Sequence, residues 1–187
     1  MVRGVLFDLD GTLFDRDSTV RELLQDQHEH FRTAFGKVSS ETYVARMLEL
    51  DAHGHRDKTV AYQRAATEFD LSDDLAVTLV ADFWNRYHSL CRCFPEVLPV
   101  LAQLRDHGLK LGIVTNGAVR IQEPAIQRLG LSSLMNAIHI SEREGIRKPE
   151  PEIFARAVRA LDVDRGETWC CLSRYFPRRN SGFFVTA

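Results

Sequence analysis

The segment Val5–Phe14, VLFDLDGTLF, constrains this chain more than any other. Val5, Leu6 and Phe7 make a short apolar run of the kind a buried strand uses, and Gly11 lets the backbone turn sharply where that strand ends. Asp8 and Asp10 stand just past the run, separated by one residue. A buried acid is costly unless a cation or hydrogen bonds compensate it. Packing alone does not explain two of them at a strand end, so the pattern points to a divalent metal and a reacting phosphate. The competing reading is a surface strand end with solvated aspartates.

Further strand-like runs at Lys110–Thr115, Ala137–Ile140 and Thr168–Leu172 alternate with helical patterns. Leu98, Leu101, Ala102 and Leu104 repeat at helical spacing up to His107-Gly108, a C-terminal signal. Ile121, Ala125, Ile126 and Leu129 repeat in the same way before Gly130. Ile153, Phe154, Ala157, Val158 and Leu161 form an amphipathic stripe that starts after Pro151, a favoured first-turn residue. This rhythm predicts an α/β fold: a Rossmann-like parallel sheet flanked by helices. Ligands of such sheets bind beyond the carboxyl ends of the strands. Asp8, Asp10 and Thr115 all fall there.

From Asp15 to Phe94 the pattern is helical, without a convincing strand. Leu23, Leu24, Phe31, Ala34 and Phe35 predict one helix ending near Gly36. Ser39 or Ser40 caps a second helix that carries Val44, Met47 and Leu48. Val60, Ala61, Ala65 and Phe69 predict a third. Ser72, Asp73 and Asp74 open a fourth through Leu75, Leu79, Val80 and Phe83. The block is too long for a plain crossover, which predicts a core domain over 1–15 and 95–187 with an all-helical insertion over 16–94.

At 187 residues the chain suits a core with a modest insertion. Its 24 basic and 26 acidic residues nearly cancel, which gives no bulk attraction to nucleic acid. No apolar run reaches the roughly 18 residues that span a bilayer, and the N-terminus shows no signal segment. A cytoplasmic location is the expectation. Cys91/Cys93 and Cys170/Cys171 lack the spacing of a zinc or redox site and read as reduced thiols. His28 and His30 are too close along a helix to share a face. Asp51–Asp57, with His53 and His55, reads as a polar, solvated turn, or as a substrate-contacting loop.

FDLDGTLFD resembles the first motif of the haloacid dehalogenase-like (HAD) hydrolase superfamily, which consists mostly of phosphatases. LGIVTNG at Leu111–Gly117 resembles the second motif, and Lys148 in Arg147-Lys148-Pro149-Glu150-Pro151 resembles the lysine of the third. The resemblance runs to about Trp169, and the helical block resembles the cap that many members insert after the first motif to exclude water and select substrates. It implies a small phosphorylated metabolite as substrate, Asp8 as nucleophile forming an aspartyl-phosphate, and Asp10 as proton donor and then acceptor. It implies Mg²⁺ on Asp8 and the backbone carbonyl of Asp10. The Thr115 hydroxyl, the Asn116 amide and Lys148 would hold the phosphoryl oxygens. Dehalogenases of the superfamily lack the second acid, so Asp10 favours ester hydrolysis. Phosphomutase chemistry uses the same two aspartates.

The family's fourth motif, Gly-Asp and a further Asp after a strand, should follow Thr168-Trp169-Cys170. Ser173 and Arg178 stand roughly where those acids belong, and no Asp or Glu occurs after Glu167. A hydroxyl and a guanidinium do not replace two carboxylates around Mg²⁺. A core whose C-terminal part is truncated or atypical is therefore expected, with a tail such as a shifted reading frame would produce. Weak or absent turnover follows, and the alternative is a catalytically inactive HAD-fold binding protein.

Overall fold

The computed structural model describes residues 1–171 and separates two compact units, Arg16–Leu90 and Met1–Asp15 with the residues from Cys91 onward. Residues 172–187, including Ser173 and Arg178 of the fourth-motif reading, lie outside the described residues.

The unit Arg16–Leu90 is helical: α1 (Arg16–His30), α2 (Arg32–Phe35), α3 (Ser40–Asp51), α4 (Lys58–Phe69) and α5 (Asp73–Leu90). In α1 the buried positions Arg16, Thr19, Val20, Leu23, Leu24, Gln27 and His28 recur every three to four residues, the spacing of one helix face. Ser39 Oγ accepts from the Thr42 amide and Ser72 Oγ from the Leu75 amide, each at 3.2 Å, and these bonds start α3 and α5. The single helix expected through Phe35 is instead two, because Phe31 leaves helical geometry at φ −103° and ψ 21°. His28 accounts for the reversal: its ring stacks on Phe35 at 4.6 Å, and its Nε2 lies 2.7 Å from the Val38 carbonyl.

Two polar nodes inside this unit were not foreseen. Gln27, fully buried, donates through Nε2 to the Leu79 carbonyl at 2.8 Å and accepts at Oε1 from the hydroxyls of Tyr62 at 2.7 Å and Tyr43 at 3.2 Å. Asp51, expected in a solvated turn, is 3 % exposed. Its Oδ2 takes Arg16 Nη1 at 2.8 Å and the Gly54 amide at 2.9 Å, while Oδ1 takes Lys58 Nζ. His53, Gly54, His55 and Asp57 of that stretch are exposed as expected.

In the other unit β1 (Gly4–Phe7), β2 (Lys110–Thr115), β3 (Ala137–Ile140) and β4 (Thr168–Cys171) form one parallel sheet in the order β3-β2-β1-β4. The register pairs Gly4 with Lys110 on one side and with Thr168 on the other. β1 is thus central and all four of its residues are buried, which is why it reads as an unbroken apolar run. The helices of this unit are α6 (Val97–Asp106), α7 (Val119–Arg128), α8 (Ser141–Glu144) and α9 (Pro151–Leu161). Ile153, Phe154, Ala157 and Leu161 of α9 pack on Leu6 and Val114. Gly112 is needed where it stands, since a Cβ there would lie 2.8 Å from Leu6 Cδ2. The stripe expected on α6 is narrower than its sequence suggests: Val97 and Leu101 are buried, whereas Leu98 is 44 % exposed.

All four cysteines are free. Burial, followed by the neighbouring Cys171, pushes the Cys170 thiol up to about 11, against a smaller opposing effect of Arg165. At pH 8 Cys170 should alkylate about 10²-fold more slowly than an unperturbed thiol. Mass-spectrometric rates with iodoacetamide check this, and an ordinary rate would contradict it.

Candidate active site

Asp8 follows the last residue of β1, and its amide donates to the Cys171 carbonyl of β4 at 2.9 Å. It is 7 % exposed. Its Oδ1 receives Lys148 Nζ at 2.6 Å and the Leu9 amide at 2.7 Å. These bonds supply the compensation that a buried carboxylate needs. Beyond it the chain closes a tight loop: the amides of Thr12, Leu13 and Phe14 all converge on the Leu9 carbonyl at 3.0–3.2 Å. Gly11 occupies the left-handed region at φ 71°, and its amide donates to Phe14. That loop carries Asp10 back over the strand end.

Thr115 is the last residue of β2 and is fully buried. Asn116 joins the two later motifs: its Nδ2 donates to the Lys148 carbonyl at 3.0 Å, and its Oδ1 accepts from the Lys148 amide at 2.8 Å. Lys148, followed by a cis bond to Pro149, is itself 4 % exposed. The loop after β2 is further pinned by Ser141 Oγ, which accepts from the Gly117 amide at 3.0 Å.

One residue of this network is absent from the expected set. Gln122, in α7 and 6 % exposed, places its Nε2 2.8 Å from Asp10 Oδ2, 3.2 Å from Thr115 Oγ1 and 3.1 Å from the Asn116 carbonyl. Gly117 makes room for it, because a Cβ at 117 would lie 2.7 Å from that nitrogen. With Gln122 included, a continuous hydrogen-bonded chain links Asp8, Lys148, Asn116, Asp10 and Thr115 at the carboxyl ends of β1 and β2. A polar residue on the otherwise apolar stripe of Ile121, Ala125 and Ile126 was the one available signal in the sequence.

Among the described residues no group of three or more His, Cys, Asp or Glu side chains could hold a metal. The donors at the strand ends are nevertheless hard oxygens, with Asp8 Oδ1 committed to Lys148 and Leu9. Magnesium commonly keeps several waters and takes only one or two carboxylates plus substrate phosphate. Asp8 Oδ2 and the backbone oxygen of Asp10 suit that mode.

The protein belongs to the haloacid dehalogenase-like hydrolases, whose family description matches residues 2–170. It is 30% identical over 169 residues to a glyceraldehyde 3-phosphate phosphatase of Methanopyrus kandleri, covering 87% of this chain and 72% of that protein. A HAD phosphatase from Thermococcus onnurineus superposes with a TM-score of 0.59 at 27% identity, covering 91% of this chain and 77% of the other. A 2-haloacid dehalogenase from Pseudomonas syringae superposes with a TM-score of 0.56 at 26% identity, covering 91% and 77%.

Proposed function

We propose that the protein is a phosphatase of a small phosphorylated metabolite acting through an aspartyl-phosphate on Asp8. The observation that carries this reading is the buried Asp8 carboxylate, anchored by Lys148 and the Leu9 amide, in one network with a second acid and a hydroxyl. Asp8 Oδ2 attacks phosphorus as the bond to the ester oxygen breaks. Asp10 gives its proton to that oxygen, and then takes one from the water that attacks the acyl phosphate. Lys148, the Thr115 hydroxyl and the Asn116 amide hold the phosphoryl oxygens, and the fixed charge of Lys148 meets negative charge without reorganisation. A Mg²⁺ ion held by Asp8 and the Asp10 carbonyl would shield carboxylate from phosphate. The relative from Methanopyrus kandleri supports a phosphorylated three-carbon sugar or a similar ester as substrate. The unit Arg16–Leu90 is assigned substrate selection, and the location is assigned to the cytoplasm.

Dehalogenation is the second reading, supported by the likeness to the dehalogenase from Pseudomonas syringae. Asp10 argues against it, because displacing a halide needs no leaving-group proton. Turnover is expected to be weak, since Ser173 and Arg178 stand where the family's further carboxylates belong. The test is phosphate release from a panel of phosphate esters with and without Mg²⁺, beside halide release from 2-haloacids. Slow, Asp8-dependent phosphate release is expected. Halide release, or phosphate release indifferent to Asp8, would overturn the reading.

A further inference from the structure

We infer that Gln122 is a positioning residue for Asp10, holding Oδ2 of that carboxyl group against the loop that follows β2. The inference rests on the proton-transfer role given to Asp10 above. Two of the three atoms facing the Gln122 amide group, a carboxylate oxygen and a backbone carbonyl, are acceptors that an NH₂ group satisfies and an amide oxygen does not. The orientation of the amide is fixed by that chemistry. Its two hydrogens face three acceptors: Asp10 Oδ2 at 2.8 Å, the Asn116 carbonyl at 3.1 Å and Thr115 Oγ1 at 3.2 Å. The shortest contact is to Asp10. Gly117, whose Cβ would collide with this side chain, keeps the space that the contact requires.

Two consequences follow for the reaction. When Asp10 has given its proton to the ester oxygen, the neutral N–H donor stabilises the carboxylate left behind. Gln122 also touches Thr115 and Asn116, so the proton-transfer loop and the phosphate-holding loop keep their spacing through both steps, as catalysis by proximity requires.

The experiment compares the full-length protein with Gln122→Leu and Gln122→Glu. Because Asp10 assists leaving groups, the loss should depend on the leaving group. For an alkyl phosphate, whose alcohol must be protonated, kcat/KM, which reports phosphoryl transfer to Asp8, should fall about 10–100-fold, a part of what general acid–base help supplies. For p-nitrophenyl phosphate, whose phenolate leaves unaided, the fall in kcat/KM should be less than about 3-fold. Gln122→Glu sets an acceptor against Asp10 Oδ2 in place of a donor, so its loss on the alkyl ester should be at least that of Gln122→Leu.

A second readout does not need turnover. In ¹⁵N-labelled protein the Gln122 side-chain NH₂ resonances should move in Asp10→Ala, which removes the nearest acceptor. Equal losses of kcat/KM for both esters would overturn the inference, as would NH₂ resonances that Asp10→Ala leaves in place. Phosphate release that survives Asp8→Asn would instead overturn the phosphatase reading, while the NMR comparison would still decide the role of Gln122.

Discussion

Asp8→Asn is expected to bring phosphate release down to background and to weaken the fold at the same time. The kinetic loss comes from removing the proposed nucleophile, and at least about 10³-fold is expected on that covalent route. The stability loss comes from Lys148, whose ammonium is 4 % exposed and would face a neutral amide instead of a carboxylate at 2.6 Å. Breaking one side of a buried pair costs roughly 3–5 kcal/mol, and Asn keeps an acceptor oxygen, which favours the lower figure. Urea titrations of the two proteins read the second effect and single-turnover phosphate release reads the first. A variant with normal turnover would remove Asp8 from the chemistry. Unchanged stability would mean that water compensates Lys148.

The second large effect is expected inside the helical unit. Asp51→Asn would leave Arg16 and Lys58, both 7 % exposed, without the carboxylate that neutralises them. Two buried cations would then face each other, while Lys58 also lies 5.3 Å from the centre of the Phe83 ring. A loss of roughly 3–5 kcal/mol is expected for the helical unit, toward the upper end. The pH dependence follows from the same contacts. Burial pushes the Asp51 carboxyl up, but the charges and hydrogen bonds of Arg16 and Lys58 outweigh it and hold it below its ordinary 3.8. The stability it contributes is therefore complete above pH 3.8 and drains away as pH falls through the lowered value. Burial holds Lys58 below its ordinary 10.5, with Asp51 opposing and Arg16 reinforcing the shift. Between that lowered value and 10.5 the unfolded chain binds more protons, so stability rises with pH there. Circular dichroism during acid titration should show a gentler acid limb in Asp51→Asn than in the unaltered protein. An identical limb would remove Asp51 from the acid transition.

The strands were legible in the sequence because a parallel sheet covered on both faces demands continuous apolar runs. Lys110–Thr115 and Ala137–Ile140 match β2 and β3 to the residue. The placement of Asp8, Asp10 and Thr115 beside strand ends was legible for the same reason, since each follows or ends such a run. What was not legible depends on contacts between residues distant in sequence. Nothing local in Asp51 announces Arg16, 35 positions earlier, so an acid at a helix end reads as solvated. The break at Phe31 is set by His28 reaching Val38, a contact that a periodicity argument does not contain. Gln122 escaped notice because its partners lie on two other loops, and a lone polar residue on a helix reads as surface.

The position of β1 has a consequence for how the polypeptide is made. β1 pairs with Lys110–Ile113 and with Thr168–Cys171, so its neighbours are translated more than a hundred residues later. The helices of Arg16–Leu90 contact one another locally and can assemble in the interval, since short-range contacts form fastest. Until the later strands arrive, Gly4–Phe7 is an unshielded, adhesive segment of nascent chain, the kind of surface that chaperones bind.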